Sequence, residues 1–419
     1  MALFPRSSAF TRVTQLAAQR PIHAAFAWLH GNPKRLMDWQ AELVAIPAPP
    51  FGEQARSEWI AERFAQAGLA HVRTDEIGNV LGFLPEAHLG EGSTGLIVVL
   101  SAHLDTVFPA DTPLAPLVNG DRLEAPGACD NAAGVIGMLA IAHALLHAKF
   151  EAPVSLLFLA NVGEEGEGDL RGVRHLYKEE ALAGRIAAHV VLDGAGAESA
   201  VTQALGSKRY QVVISGPGGH SFTDAGTPNP IAALASALAA IAETPLPAEP
   251  RTTLNLGTIH GGTSVNSIPE IASASIDCRS IAPEQLVRLE VAVHRAVEDA
   301  VERANEIARG NGIAANKLLS FAIHMIGDRP AAQLPADSPL LEALRAVDRH
   351  MGIRTDLRLG STDANIPMAQ GVPALSMGAG GDGGGAHTRQ EWYSDKNRET
   401  GLKRVLLLTL AMAEWAAGL

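Results

Sequence analysis

Two histidines and five acids in this chain stand in settings where their side chains could ligate a metal or move a proton. His103 and Asp105 lie two apart, where the apolar run LIVVL (96–100) breaks. Glu164 and Glu165 follow the run 154–160 and Asn161, Asp193 follows the run 187–192, and His387 closes a glycine-rich loop after the run 372–376. Asp130 sits in GACDNAAG, at the entrance to an apolar helix. Imidazole nitrogen and carboxylate oxygen from His103, Asp130, Glu165, Asp193 and His387 suit zinc, or a neighbour such as cobalt or manganese. Five ligands exceed what one tetrahedral ion needs. Two ions about 3.5 Å apart that share a bridging carboxylate use all five and leave positions for water. Glu164 and Glu165 are adjacent in a loop and can point different ways, so one can bind metal while the other acts as a general base. Asp105 is placed to hydrogen-bond the His103 imidazole and fix its tautomer. Taken singly, an Asp at a strand end is a helix cap and a Glu pair is a solvated surface. The weight lies in their shared position after buried strands.

A buried apolar strand that delivers polar residues at its C-terminal tip is how an open α/β sheet presents a site. Runs 96–100, 154–160 and 187–192 alternate with helical stretches at 134–150 and 172–182, which implies a largely parallel sheet with helices on both faces. Further helices are expected at 39–46 and 53–67, and a hairpin at 72–83 around Ile77-Gly78. After Gly206 the pattern changes. Strands at 209–215, 252–260, 271–279 and 318–325, with helices at 228–244 and 282–310, give the order β-α-β-β-α-β of a ferredoxin-like α+β domain. The α/β pattern then resumes with helices at 338–352 and 399–417. The expected division is 1–205, an inserted domain at 206–324, and 325–419.

Other signals are weaker. His143 and His147 stand at i,i+4 on the apolar helix, but Ala144 follows the first, so HExxH zinc chemistry is missing. Both read as surface or helix-packing residues. Gly378, Gly380 and Gly383 form a G-x-G-x-x-G after a strand. It fits poorly with dinucleotide binding and better with a backbone that delivers His387. A net charge of -12 points away from nucleic acid and anionic membrane partners. Two cysteines, Cys129 and Cys278, exclude a disulfide framework and fit a reducing, cytoplasmic setting. No apolar stretch reaches transmembrane length. No acid precedes Asp38, while Arg6, Arg12, Arg20, Lys34 and Arg35 do. That charge pattern is shared with organellar transit segments; an N-terminal extension packed as a helix around 24–29 is the preferred reading.

HLDTVFP, GACDNAAG, NVGEEGEGDLRG, VVLDG, GGHSF and the terminal GAH, in this order, make the chain similar to the M20 family of metallopeptidases and deacylases, in its peptidase T-like and carboxypeptidase-like branch. The resemblance runs from about Val44 to the last helix. It implies a zinc-peptidase-like catalytic domain with two divalent ions per subunit, most often zinc. His103 and Asp193 would hold one ion, Glu165 and His387 the other, and Asp130 would bridge them, with a cis bond after it. Glu164 would be the general base. The inserted domain would be a lid and dimerisation domain, and its His220 would reach the partner subunit's site to stabilise the oxyanion. Asn266 and Arg279 would grip substrate, the Arg fork matching a free carboxylate. The expected substrate is a small peptide. The family places Asp at the position of Asp193 more often in its peptidase branch and Glu in its acylase branch. The rival is an N-acyl-amino-acid amidohydrolase (deacylase or desuccinylase). A rival of another class is a catalytically silent metal-binding scaffold, which the presence of Glu164, a base that binds no metal, speaks against.

Overall fold

The protein is described by a computed structural model covering residues 8–84 and 95–419; Arg6 lies outside the described residues. It forms two compact units, Met1–Ala204 with Gln333–Leu419, and Leu205–Ala332.

The first unit is built on a nine-stranded sheet. At its centre lie four parallel strands in the order Ser155–Asn161, Ile97–His103, Ile186–Leu192 and Ala374–Met377. The first two are buried along their whole length, which is why the sequence shows continuous apolar runs there and no alternation. The hairpin Ala70–Thr74 and Val80–Leu84 extends one side antiparallel. Because the four central strands run the same way, their C-terminal ends share one edge, and His103 is level with Asn161.

Helix Ala132–His147 is buried on almost every side, and its N-terminus is capped by Asn131, whose Oδ1 accepts from Gly134 N at 3.1 Å. His143 is half-buried, as is Leu146, and His147 is exposed. His143 stacks on Trp28 at 5.5 Å and tilts against Trp39 at 5.0 Å, and burial, with Arg35 and Arg63 nearby, pushes its pKa down to about 4. It is therefore a packing residue. The basic N-terminal stretch is helical over Ala9–Ala17, Arg20–Gly31 and Pro33–Val44, and Arg35 lies 4.5 Å over the Trp39 ring. The single helix expected at 172–182 is instead two, Arg171–Leu176 and Glu180–Ala183. The His175 carbonyl there accepts from both Lys178 N and Glu179 N, a tightening that ends the first helix. Residues 104–130 contribute Leu117–Asn119 and Arg122–Glu124 to a small antiparallel sheet with Trp392–Ser394 and Asp382–Gly384.

The second unit is an antiparallel sheet in the order Thr252–Gly261, Ile271–Ser280, Gly206–Ser215, Ser320–Arg329, with helices Pro230–Ala242 and Pro283–Gly310 on it. This is the ferredoxin-like arrangement. Along Ile271–Ser280, Ala272, Ala274, Ile276 and Cys278 are buried, while the alternate residues Ser273, Ser275, Asp277 and Arg279 are half-buried. Leu234, Leu238, Val293 and Val297 close the core from the helices.

Candidate active site

The shared edge of the parallel strands brings His103, Asp130, Glu164, Glu165, Asp193 and His387 together. Their donor atoms form two triads that overlap at one residue, His103–Asp130–Asp193 and Asp130–Glu165–His387, each within 4.8 Å. The two Asp130 oxygens face different histidines. Oδ1 lies 3.2 Å from His103 Nε2, and Oδ2 lies 3.1 Å from His387 Nε2. Asp193 Oδ1 is 3.9 Å from His103 Nε2, and Glu165 Oε1 is 3.0 Å from His387 Nε2. Glu164 groups with His103 and Glu165 but stands outside both triads.

The electrostatics follow from this crowding. Burial works against a charged His103, but Asp105, Asp130 and Asp193 outweigh it and hold its pKa well above the usual value. His387 is raised to about 9, chiefly by its hydrogen bond to Asp130. Burial also opposes an ionised Asp130, yet the two histidines keep its pKa low. Glu165 is pushed up to about 7, first by burial. Both imidazoles offer nitrogens that can ligate a cation once deprotonated. Asp130 Oδ1 is buried and, although His103 Nε2 lies 3.2 Å away, makes no well-aligned hydrogen bond among the described residues, as a ligand oxygen facing a cation would. The mixed nitrogen and oxygen donors fit two divalent ions of the zinc class.

The supports are specific. Asn131 Nδ2 donates to Leu192 O at 2.9 Å, and its Oδ1 accepts from Gly194 N at 3.0 Å, tying the Asp130 loop to the tip that carries Asp193. The Asp130–Asn131 peptide bond is cis. His387 takes the left-handed conformation (φ 64), which turns its side chain back from the glycine-rich loop. No helix follows that loop; it continues into strand Asp382–Gly384. Asp105 works differently from expectation. The His103 Nδ1 bond goes to the Asp105 backbone carbonyl, at 3.0 Å, and the Asp105 carboxylate lies 3.6 Å away. That carboxylate instead accepts from Glu164 N at 3.0 Å and Glu165 N at 2.7 Å. It holds Glu164 and Glu165 by their backbone.

Among the buried acids that escaped the sequence reading are Asp363 and Glu391. Asp363, fully buried, accepts from Asn161 Nδ2 at 2.7 Å and is pushed up to about 7, first by burial. Glu391, also buried, accepts from backbone amides of the Asp130 loop. Neither lies at the end of a long apolar run. The one cue for Glu391 is its period-two spacing with the buried Tyr393.

His220, Asn266 and Arg279 belong to the second unit. His220 pairs with Ser267 and is exposed. Its Nδ1 accepts from Phe222 N at 3.1 Å, so the neutral ring carries its proton on Nε2 as a donor. The Asn266 carbonyl accepts from Ser221 N at 3.0 Å. Arg279 Nε donates to Asp277 at 2.7 Å.

Among the described residues, no helix is long and apolar enough to cross a membrane. The chain is 28% identical over 295 residues to a probable carboxypeptidase of Aspergillus clavatus, covering 65% of this chain and 63% of that protein. It is 28% identical over 226 residues to a succinyl-diaminopimelate desuccinylase of Xanthomonas campestris pv. campestris, covering 50% of this chain and 58% of that one. It therefore spans about three-fifths of the length of these curated relatives. Its fold is similar to the crystal structure of the aminopeptidase PepT from Bacillus cereus, with a TM-score of 0.69 at 20% identity, over 91% of this chain and 99% of that one. The model of peptidase family M20/M25/M40 matches residues 99–411, and the chain belongs to that family.

Proposed function

We propose that this protein is a two-metal hydrolase that cleaves the peptide bonds of small peptides, with zinc as its ion and Glu164 as its general base. The observation that carries this reading is the pair of ligand triads joined through the two oxygens of Asp130, with Glu164 alongside and outside both. When bound, two divalent ions polarise the scissile carbonyl and lower the pKa of a water toward neutrality. Glu164 takes the proton from the attacking water and passes it to the leaving nitrogen. Asp105, by holding the amides of Glu164 and Glu165, keeps base and ligand in fixed relation. His220, offered by the inserted domain of a second copy of the chain, donates Nε2–H to the developing oxyanion. Asn266 and Arg279 bind the rest of the substrate, Arg279 through the part of its fork not given to Asp277. These roles make the second unit a lid and the protein a homodimer.

The desuccinylase relative favours a second reading, in which the same residues hydrolyse the amide of an N-acyl amino acid. Asp193 leans toward the peptidase, because the family resemblance places Asp there more often in the peptidase branch and Glu more often in the acylase branch. Both readings are tested by turnover of di- and tripeptides beside N-acetyl and N-succinyl amino acids, using chelator-stripped protein reloaded with zinc, cobalt or manganese. Hydrolysis of unblocked peptides is expected, and turnover of acylated substrates alone would move the protein to the deacylases. Glu164→Gln should lower turnover by about 100- to 10,000-fold with metal content unchanged. Near-normal activity in that variant would remove Glu164 as the base.

A further inference from the structure

The loop that carries Asp130 is gripped by a side chain with no place in the chemistry above. Glu391 is 1% exposed. Its Oε2 accepts from Gly127 N at 2.8 Å, and its Oε1 accepts from Cys129 N at 2.8 Å and Asp130 N at 2.7 Å. Its backbone carbonyl accepts from Ala125 N at 3.1 Å. Four amides between residues 125 and 130 therefore converge on one residue, 262 positions from Cys129 in the chain. Gln40 holds the opposite side of the loop, its Nε2 donating to Ala128 O at 2.6 Å. Gly127 stands at φ 77, which favours glycine, and turns its amide into this cradle.

Glu391 also bounds the loop of His387. Its own amide donates to Thr388 O at 3.2 Å, closing the turn after the histidine, and the strand Trp392–Ser394 that follows pairs with Arg122–Glu124 just before the Asp130 loop. One residue is thus common to the two loops whose side chains meet at the 3.1 Å contact of Asp130 Oδ2 with His387 Nε2. A buried carboxylate beside a second carboxylate is a costly way to satisfy backbone amides. The arrangement is tolerable where cations lie alongside, and the buried Arg56 guanidinium is one.

We infer that Glu391 is a positioning residue: it sets the Asp130 carboxylate against His387 before any ion arrives, and so determines how tightly the ion shared by Asp130, Glu165 and His387 is held. This rests on the two-metal reading. In a glutamine, one oxygen would be replaced by an NH₂ group facing a backbone N–H, leaving at least one loop amide unpaired.

The test is zinc affinity by competition with a chelator, read beside hydrogen exchange of the peptide spanning residues 125–131. Wild-type protein is expected to bind two zinc ions; fewer would overturn the two-metal reading itself, whatever Glu391 does. Glu391→Gln is expected to weaken the looser ion by about 10- to 100-fold, the scale of groups that support a ligand, with the tighter ion less affected and Glu391→Asp intermediate. A folded Glu391→Gln protein that binds both ions with wild-type affinity overturns the inference. Chelator-stripped wild type should keep the 125–131 amides protected, because the grip needs no metal. Exchange there as fast as in an open loop overturns the inference even where the glutamine variant fails to fold.

Discussion

His103 and His189 occupy neighbouring strands of one sheet, and both are closed to solvent, at 1% and 0% exposure. Their surroundings are opposite. His103 is at the tip, among Asp105, Asp130 and Asp193, and is held strongly basic. His189 is level with Val99, lower on the sheet, with Ser101 Oγ at 2.8 Å, Tyr177 Oη at 3.2 Å and the Tyr177 ring stacked at 6.0 Å. Burial pushes its pKa down to about 3, so it stays neutral. Burial alone therefore does not decide what a histidine is for. At the tip, carboxylates favour a charged ring; at the waist, hydroxyls satisfy a neutral ring and the gain is stability.

The contrast breaks most sharply at Asp130. Asp130→Asn removes a charge from both triads and should lower turnover by at least about 1000-fold, since metal catalysis supplies several kcal/mol of barrier reduction. Retention of a tenth of the activity would mean that Asp130 bridges nothing. At the waist the expectation reverses. His189→Leu keeps the volume but leaves the Ser101 and Tyr177 hydroxyls unpaired, and should cost about 2–4 kcal/mol in urea unfolding with turnover per folded site unchanged.

The same site has a pH signature. His189 is neutral in the folded chain and titrates near the ordinary 6.5 when unfolded, so its contribution is fully present above that value and is lost as pH falls from 6.5 toward about 3. The stability gap between wild type and His189→Leu should therefore narrow by about 1.4 kcal/mol per pH unit below 6.5. An equal gap at pH 7 and pH 5 would show that the ring is not held neutral. The smallest effect is expected at Asp105. Asp105→Asn leaves one of the Glu164 and Glu165 amides without its acceptor and should reduce turnover by about 10- to 100-fold, with unfolding stability changed less than by His189→Leu.

The tip was legible because buried parallel strands write themselves as unbroken apolar runs, and the residue after each run is where a site must be. The ferredoxin-like order was legible for a related reason: its strands are ten residues long and its helices thirteen and twenty-eight, enough for their periods to show. The small sheet of Leu117–Asn119, Arg122–Glu124, Asp382–Gly384 and Trp392–Ser394 was not, because three-residue strands carry no period and their partners are far apart in the chain. Glu391 stayed hidden with it. Asp105 was found, but its closer partners, the Glu164 and Glu165 amides, were not. Its spacing from His103 implies a shared face, a rule that lapses where the chain leaves the strand at His103. The carboxylate then turns to the neighbouring tip.

Helix Ala132–His147, apolar on nearly all sides, has a consequence for how the chain comes into being. It has no wet face on which to wait. Its cover comes from Arg20–Gly31 and Pro33–Val44, made before it, and from Arg398–Ala416, made long after it. A Cβ at Gly137 would stand 3.2 Å from Leu402, so the final helix sits directly on this one. During synthesis the segment therefore stays partly uncovered for well over two hundred residues, a long exposure for an aggregation-prone surface. The helix that opens after Asp130 is sealed only once Arg398–Ala416 has been made.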